Sequence, residues 1–319
     1  MRKKVSLFIT GLLLLTIGAL AGCGQNEASS ADQTDEQVIR IGYQKNGPLV
    51  ILKSLGTLEE RLESTDYAVE WKEFQEGPAL VEALNSGAID MGRTGNSPPI
   101  FAQAAGTDFV NLAAGKPKFH GSGVLVPEDS PIKEIADLEG KKIGFAKGSS
   151  SHYLLVKALH EAGISYEGIT PAFLTPGDAR VAFEQKNVDA IVVWDPYTAS
   201  TEINAGGTLL IDGEGLSTDR DFFIATSAFA EKHAEIADII MEEVAESSDW
   251  ANENHEELTK MLAPILNIDE ASIKRSIERR EYGVDEINMD IIEEQQEIAD
   301  IFYELGIIPE KLNVRDVME

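Results

Sequence analysis

The chain has almost no cysteine: Cys23 is the only one in 319 residues. An internal disulfide is therefore impossible, and a packed core must stabilise the fold. The five histidines form no His-x-x-x-His pair, and the sequence contains neither a Gly-x-Ser-x-Gly elbow nor a Gly-x-x-x-x-Gly-Lys phosphate loop. We therefore expect no catalytic residue, no metal site and no cofactor.

Basic residues are also scarce, because 27 Lys and Arg stand against 55 Asp and Glu, for a formal net charge of -28 at pH 7. This balance argues strongly against nucleic acid as a partner. It does not exclude a small anion, because exposed charges are screened beyond a Debye length of roughly 8 to 10 Å. Local groups must decide what the chain binds.

The N-terminus has the pattern of a lipoprotein signal. A basic start precedes the apolar stretch from Leu7 to Leu20, which is short for a membrane span, and small residues stand before Cys23. The pattern predicts removal of residues 1–22, acylation of Cys23 and attachment to the outer face of the cytoplasmic membrane. The polar residues 23–37 predict a flexible tether.

From Val38 onward, short apolar runs alternate with helical patterns, which predicts an α/β fold with largely parallel sheets. Strands are predicted at 39–43, 68–74, 89–92 and 222–229, and helices at 49–62, 79–85, 233–252 and 292–305. A weak internal repeat supports two similar lobes, since Ile41-Gly42-Tyr43 resembles Ile143-Gly144-Phe145 and Asp90 corresponds to Asp189.

Polar loops that follow predicted strands are the candidate site, because ligands of open α/β sheets bind beyond the carboxyl ends of the strands. One such loop lies between a strand predicted at 142–146 and a helix predicted at 153–161. Unpaired N–H groups of a first helical turn, together with serine hydroxyls, suit an oxyanion such as a sulfonate. A plain serine N-cap is the alternative. The candidate residues of this loop are Gly148, Ser149, Ser150, Ser151 and His152.

The first half of the chain has a counterpart in Thr94, Gly95 and Asn96, which end a predicted strand and precede a proline-started helix. They would offer backbone donors from the opposite side of a cleft, although a helix cap alone would look the same. Gln44 and Lys45 end the first strand and place an amide and a cation at the rim of the cleft.

Trp194 and Asp195 follow a strand predicted at 189–193. The tryptophan ring could fill the core or form a wall against the tail of a ligand. Asp195 could cap the next helix or order the loop. If it faced the ligand, it would favour a cationic group there.

Five parts of the chain carry a resemblance to a known family: Ile41 to Lys45, Glu76-Gly77-Pro78 with Glu82-Ala83-Leu84, Pro98 to Gly106, Lys147 to His152, and Trp194 to Tyr197. Together they resemble the aliphatic sulfonate-binding proteins of ABC importers. The resemblance implies a two-lobed periplasmic-binding-protein fold of type II, in which each lobe is a mixed, mostly parallel sheet flanked by helices and the ligand cleft lies between the lobes. It assigns residues 38–121 and 223–319 to lobe I and residues 122–222 to lobe II, and it places Gly121 and Ser122 at a hinge in contact with the ligand.

The sequence therefore predicts a monomeric, lipid-anchored binding protein that captures aliphatic sulfonates and delivers them to an ABC permease in the membrane. Neutral donors at facing helix starts would hold the anionic head group. Asn96 stands where relatives often have an acid, which could favour a more anionic ligand. Taurine, nitrate, bicarbonate and a thiamine-precursor pyrimidine remain alternative ligands. A pyrimidine-precursor synthase-like enzyme of the same fold and a ligand sensor remain alternative functions, and Arg280 stays outside the predicted site.

Overall fold

Two mixed β-sheets flanked by helices form the structure, a computed structural model that describes residues 37–45 and 47–318. The predicted signal peptide, the lipidation site Cys23 and the predicted tether up to residue 36 lie outside the described residues. Among the helices that are described, none combines the length and the apolar character needed to cross a membrane. The strands are β1 (Gln37–Tyr43), β2 (Tyr67–Glu73), β3 (Met91–Gly95), β4 (Phe109–Gly115), β5 (Ser122–Pro127), β6 (Lys142–Phe145), β7 (Thr170–Phe173), β8 (Ala190–Trp194), β9 (Gly207–Asp212), β10 (Asp221–Thr226) and β11 (Val284–Asp285).

The strand order is β11-β4-β10-β3-β1-β2 in the first sheet and β7-β6-β8-β5-β9 in the second. In the first sheet β1 pairs in parallel with β2 and β3, whereas β10 is antiparallel to β3 and β4, and β11 to β4. In the second sheet β6 is parallel to β7 and β8, whereas β5 is antiparallel to β8 and β9. Both sheets are mixed as predicted, but their parallel share is smaller than the sequence suggested.

The helices cover the faces of both sheets. Their bounds are α1 (Pro48–Leu55), α2 (Thr57–Leu62), α3 (Gly77–Asn85), α4 (Pro98–Ala104), α5 (Ser150–Glu161), α6 (Pro176–Glu184), α7 (Tyr197–Asn204), α8 (Ser227–Lys232), α9 (Ala234–Glu253), α10 (His255–Leu266), α11 (Glu270–Glu278) and α12 (Met289–Glu304). Short 3₁₀ turns add Ile135–Leu138, Tyr166–Gly168 and Val314–Val317.

Local capping explains where these elements differ from the predicted ones. The helix predicted at 49–62 is two helices, because Gly56 adopts a left-handed φ of 75° and its N–H closes α1 on the carbonyl of Leu52. The strand predicted at 222–229 ends at Thr226, whose hydroxyl accepts the N–H of Phe229 and so caps α8. Helix α5 begins at Ser150, three residues before the predicted start.

The internal repeat is confirmed by equivalent hydrogen bonds in the two sheets. The N–H of Arg40 donates to Oδ2 of Asp90 at 2.8 Å, and the N–H of Lys142 donates to Oδ2 of Asp189 at the same distance. In each case the aspartate also donates its own N–H to the carbonyl of the same basic residue. The order β2-β1-β3-β10-β4 thus matches β7-β6-β8-β5-β9 element by element.

The chain crosses between the sheets twice, through residues 116–121 and 213–220, which we call the crossing segments. They lie side by side, since the N–H of Lys118 donates to the carbonyl of Thr218 and that of Gly213 to the carbonyl of Phe119. Helix α12 packs near both sheets, because its Phe302 lies in one hydrophobic cluster with residues of α4 and α5. The exact lobe boundaries at residues 121/122 and 222/223 stay a prediction.

Candidate ligand-binding site

Two adjoining cavities lie where strand ends of the two sheets meet, and Lys118 and Trp194 line both. The polar cavity has an empty volume of about 290 Å³ and is lined by Gln44, Gly77, Arg93, Thr94, Gly95, Pro98, Lys118, Ser149, Ser150, Trp194, Asp219 and Asp221. The second cavity has an empty volume of about 430 Å³, and we call it the apolar cavity after its patch of Leu262, Leu266 and Ile273, although charged side chains line it as well. Its lining residues are Lys45, Gly47, Lys118, Gly121, Trp194, Asp195, Pro196, Leu262, Leu266, Ile273, Ser276, Arg280 and Tyr282.

Loops from the two sheets touch at the polar cavity. A methyl group built on Gly95, at the end of β3, would lie 2.1 Å from Oγ of Ser150 at the start of α5. A methyl group on Gly148 would meet the ring of Phe101 at 3.4 Å, although Gly148 also has a left-handed φ of 77° that favours glycine. The two loops are so close at Gly95 that a methyl group there would displace the hydroxyl of Ser150, so the structure is closed around this cavity.

Five buried charged residues, which we call the charge cluster, stand at the polar cavity and at its boundary with the apolar cavity. Asp221 pairs with Arg93, with Nη2 of Arg280 at 3.0 Å and with Nζ of Lys118 at 3.5 Å. Nζ of Lys118 also lies 2.7 Å from Oδ2 of Asp219. At most 7% of any of these side chains is exposed. Among the described residues, three cations and two carboxylates leave this cluster one surplus positive charge.

The pKa of Asp221 shows how strongly this cluster is coupled. Burial alone would raise that pKa, but the cations of Arg93, Lys118 and Arg280 outweigh burial and hold the pKa of Asp221 well below its ordinary value. The carboxylate is therefore ionised at neutral pH. The guanidinium of Arg280 also lies 4.6 Å from the centre of the Tyr282 ring, which supports it from the side of the apolar cavity.

Asp195 lies at the wall of the apolar cavity and caps the next helix, which is one of the roles predicted for it. Its Oδ1 accepts the N–H of Ala199 at 2.9 Å and lies 3.6 Å from Nη1 of Arg279, which in turn pairs with Glu202. Burial raises the pKa of Asp195 to about 7, although Arg279 opposes the shift. Its Oδ2 is buried and has no hydrogen-bond partner among the described residues.

Comparison with known proteins places the chain in a family. The profile of the family described as NMT1/THI5 like matches residues 64–258. The chain belongs to the NMT1/THI5-like family. An aliphatic sulfonates-binding protein of Escherichia coli (strain K12) is 38% identical over 317 residues, which cover 99% of this chain and 96% of that protein.

Solved structures agree with this assignment. The alkanesulfonate-binding protein SsuA from Xanthomonas axonopodis pv. citri bound to MOPS has a TM-score of 0.85 and 35% identity, over 88% of this chain and 98% of that one. The periplasmic aliphatic sulphonate binding protein SsuA from Escherichia coli has a TM-score of 0.81 and 39% identity, over 89% and 92% of the two chains. The resemblance and the periplasmic-binding-protein fold predicted from the sequence are confirmed. These three relatives are sulfonate-binding proteins.

In this NMT1/THI5-like chain, most of the predicted residues line one of the two cavities. The polar cavity gathers Gln44, Thr94, Gly95, Ser149, Ser150 and Trp194 from four separate loops, and the apolar cavity gathers Lys45, Gly121, Trp194 and Asp195. The ammonium of Lys45 donates to the carbonyl of Leu266 at 3.3 Å, so part of its role is to fasten that wall. Oγ of Ser149 donates to the carbonyl of Ala146 and does not cap α5.

His152 differs most from its predicted place. Its Nδ1 accepts the N–H of Gly148 at 3.2 Å and its Nε2 lies 3.0 Å from the hydroxyl of Tyr166, so both ring nitrogens have partners inside the protein. The ring stacks on Phe145 and Phe101. Burial, followed by the charge of Lys147, lowers the pKa of His152 to about 4. The structure therefore assigns His152 to the core and not to the ligand-contacting wall.

The structure also places four other predicted residues outside the two cavities. Asn96 hydrogen-bonds Ser97 and Ser217 and lines a different cavity beside α12. The hydroxyl of Ser122 donates to Oδ2 of Asp219, and therefore acts on the site through that carboxylate. Neither Gly148 nor Ser151 lines the polar or the apolar cavity.

Sequence reasoning missed the charge cluster and considered Arg280 only to leave it out. Arg93 carried the clearest signal, because a charged residue in a short strand of small and apolar residues is buried and needs a partner. Lys118, Asp219 and Asp221 lie on or next to the crossing segments, which no local pattern marks. The polar cavity therefore offers buried charged groups in addition to the neutral donors that the sequence predicted for the head group.

Proposed function

We propose that the chain is an extracytoplasmic solute-binding lipoprotein of an ABC importer, which captures aliphatic sulfonates and delivers them to the permease. The observation that carries this proposal is the surplus positive charge of the buried charge cluster, directly beside an apolar cavity. A ligand that matches both features needs one negative charge at one end and an apolar group at the other. An alkanesulfonate has this composition.

The charge argument favours an anion over a neutral ligand. An uncompensated charge in a buried site costs several kcal/mol, and a bound anion removes that cost. The neighbouring group of Arg275 and Arg279 with Glu202 and Asp195 is balanced when Asp195 is ionised, so it does not cancel the surplus. The head group would then contact Lys118 and the backbone donors of the Gly95 and Ser150 loops.

The apolar cavity accounts for the other end of the ligand. Leu262, Leu266 and Ile273 line it, and Trp194 lines both this cavity and the polar one. Each methylene that moves from water into such a place contributes about 0.8 kcal/mol. Affinity should therefore rise with the length of the alkyl chain until the cavity is full.

The experiment is a calorimetric and thermal-shift panel of methanesulfonate to hexanesulfonate, with taurine, nitrate, bicarbonate and a thiamine-precursor pyrimidine for comparison. A ligand at 100 times its dissociation constant should stabilise the protein by about 2.7 kcal/mol. A response to every sulfonate longer than methanesulfonate supports the proposal. If no sulfonate stabilised the protein and another compound did, the assignment of sulfonate as the ligand would be wrong.

A pair of lysine variants tests the site itself. Lys118→Gln removes the surplus charge and should weaken sulfonate binding by about 150-fold, on the basis of about 3 kcal/mol for a lost buried charge contact. Lys116→Gln is the control, because Lys116 lies two residues away and pairs with Asp285 outside both cavities. If the two variants bound the sulfonate with equal affinity, the charge cluster would not be part of the binding site.

The anchor and the partner have separate tests. The sequence around Cys23 supports lipidation, and Cys23→Ser should release the protein from the membrane fraction into the medium or periplasm. Delivery to the permease can be tested by measuring sulfonate uptake in cells that lack the chain or carry Lys118→Gln. Uptake that persists unchanged in both strains would contradict the transport role.

A further inference from the structure

The proposed anion site contains two carboxylates, those of Asp219 and Asp221, which would repel an anion and therefore need an explanation. Their surroundings differ. Asp221 is in contact with three cations, so it holds the charge cluster together. Oδ2 of Asp219 lies beside Nζ of Lys118 and accepts the hydroxyl of Ser122, whereas its Oδ1 is buried and has no hydrogen-bond partner among the described residues. Asp219 also lines the polar cavity.

The position of Asp219 is fixed by the backbone as well as by these contacts. Its φ is 48°, in the left-handed region that few residues other than glycine, asparagine and aspartate adopt. Its N–H donates to Oγ of Ser217 at 3.1 Å, and only 3% of the residue is exposed. The carboxylate is therefore held at the cavity wall and cannot turn into solvent.

We propose that Asp219 restricts the site to head groups with a single negative charge. This inference rests on the proposed function. The charge cluster has one surplus positive charge, and a monoanion neutralises it. A dianion would leave one uncompensated negative charge in a buried cavity, next to a carboxylate that repels it. Asp219 would thus separate alkanesulfonates from alkylphosphonates of nearly the same shape.

The experiment compares ethanesulfonate with ethylphosphonate, which differ little in shape but differ in charge. Ethanesulfonate stays a monoanion, whereas ethylphosphonate is a monoanion below its second ionisation and a dianion above it. The wild-type protein should bind both ligands below that ionisation, where the P–OH of the phosphonate can donate to Oδ1 of Asp219. Above it, phosphonate affinity should fall at least about tenfold relative to sulfonate affinity.

Asp219→Asn then tests the residue, because asparagine tolerates the left-handed backbone as well as aspartate does. The variant should bind the phosphonate dianion at least about tenfold better, relative to ethanesulfonate, than the wild type does. Asp285→Asn is the matched control, since Asp285 is also paired with two cations, Lys116 and Arg220, but lines neither cavity. It should keep the wild-type selectivity.

The outcomes separate this inference from the function on which it rests. If the wild-type protein binds no ethanesulfonate, the proposed function is wrong. If it binds ethanesulfonate and the phosphonate dianion equally well, the function stands and the role of Asp219 is refuted, whether or not the variant folds. Unchanged selectivity in a folded Asp219→Asn protein would also refute it.

Discussion

The contact between Gly95 and Ser150 gives the sharpest test of how this site closes. In Gly95→Ala the new methyl group would lie 2.1 Å from Oγ of Ser150 but 3.4 Å from its Cβ. The hydroxyl must therefore move, whereas the rest of Ser150 can stay. The φ of Gly95 lies outside the left-handed region, so alanine itself causes no backbone strain. We expect the variant to fold and to bind ligand more weakly.

The magnitude follows from the cost of overpacking, which is about 1 to 3 kcal/mol for an added carbon in a well-packed place. If closure is needed for binding, the affinity for ethanesulfonate should fall by roughly 5- to 150-fold. In the double variant Gly95→Ala/Ser150→Ala the clash is absent, since the two Cβ atoms are at ordinary contact distance. The double variant should therefore bind better than Gly95→Ala alone.

Titration calorimetry of the wild type, both single variants and the double variant gives the coupling between the two residues. Gly168→Ala serves as a control, because its new methyl group would meet Ile164 at an ordinary 3.6 Å, far from both cavities. Equal losses in Gly95→Ala and in the double variant would refute the reasoning. In that case the closed contact between the loops would have no part in binding.

Three further predictions concern Asp195, His152 and Trp194. Burial raises the pKa of Asp195 from 3.8 to about 7, so the folded protein loses stability as pH rises through this range. In urea unfolding, Asp195→Asn should be more stable than the wild type above pH 7, by at most roughly 4 kcal/mol, and equally stable below pH 3.8. The pKa of His152 is lowered from 6.5 to about 4, so the folded protein loses stability as pH falls through this range. Between pH 6.5 and pH 4, the free energy of unfolding should fall by roughly 3 kcal/mol more in the wild type than in His152→Phe. Parallel curves of unfolding free energy against pH would contradict this. In the wild type, each added methylene of the sulfonate should raise affinity roughly fourfold. Trp194→Ala should reduce this gain, which calorimetry from methanesulfonate to hexanesulfonate measures. An unchanged gain would mean that the alkyl tail lies away from Trp194.

The fold could be predicted from the sequence because its signals are local and repeated. Alternating apolar runs mark the strands, and the echo of Ile41-Gly42-Tyr43 in Ile143-Gly144-Phe145 marks two equivalent sheets. The antiparallel direction of β5 and β10 was harder to predict, because each pairs with strands distant in sequence. Their apolar runs are typical of buried strands in either direction.

The site was predicted in part because strand ends are visible in a sequence. Gly95, Ser150 and Trp194 each follow a clear strand, and all three line the polar cavity. His152 lines neither cavity, and the start of α5 explains why. Because successive helical residues rotate by about 100°, a helix that begins at Ser150 turns Ser151 and His152 away from the cavity that Ser149 and Ser150 line.

The charge cluster could not be predicted from local patterns, because its members come from four regions of the chain. Arg93 is on β3, Lys118 and Asp219 are on the two crossing segments, Asp221 begins β10, and Arg280 follows α11. A chain with a formal net charge of -28 gives no reason to expect a positive site. The sign of a buried site depends on which few residues the fold brings together.

The place of the charge cluster suggests how binding and closure are linked. Four of its members lie on the first sheet and the crossing segments, whereas Ser149 and Ser150 approach the cavity from the second sheet. If the serine loop moved away, water would reach the surplus positive charge and stabilise it. If the loop closed on an empty cavity, that charge would lose water and gain nothing in return. A monoanion would supply the missing charge and would therefore bind the closed state better than the open one, which is the difference in affinity that a ligand needs to shift such an equilibrium toward closure.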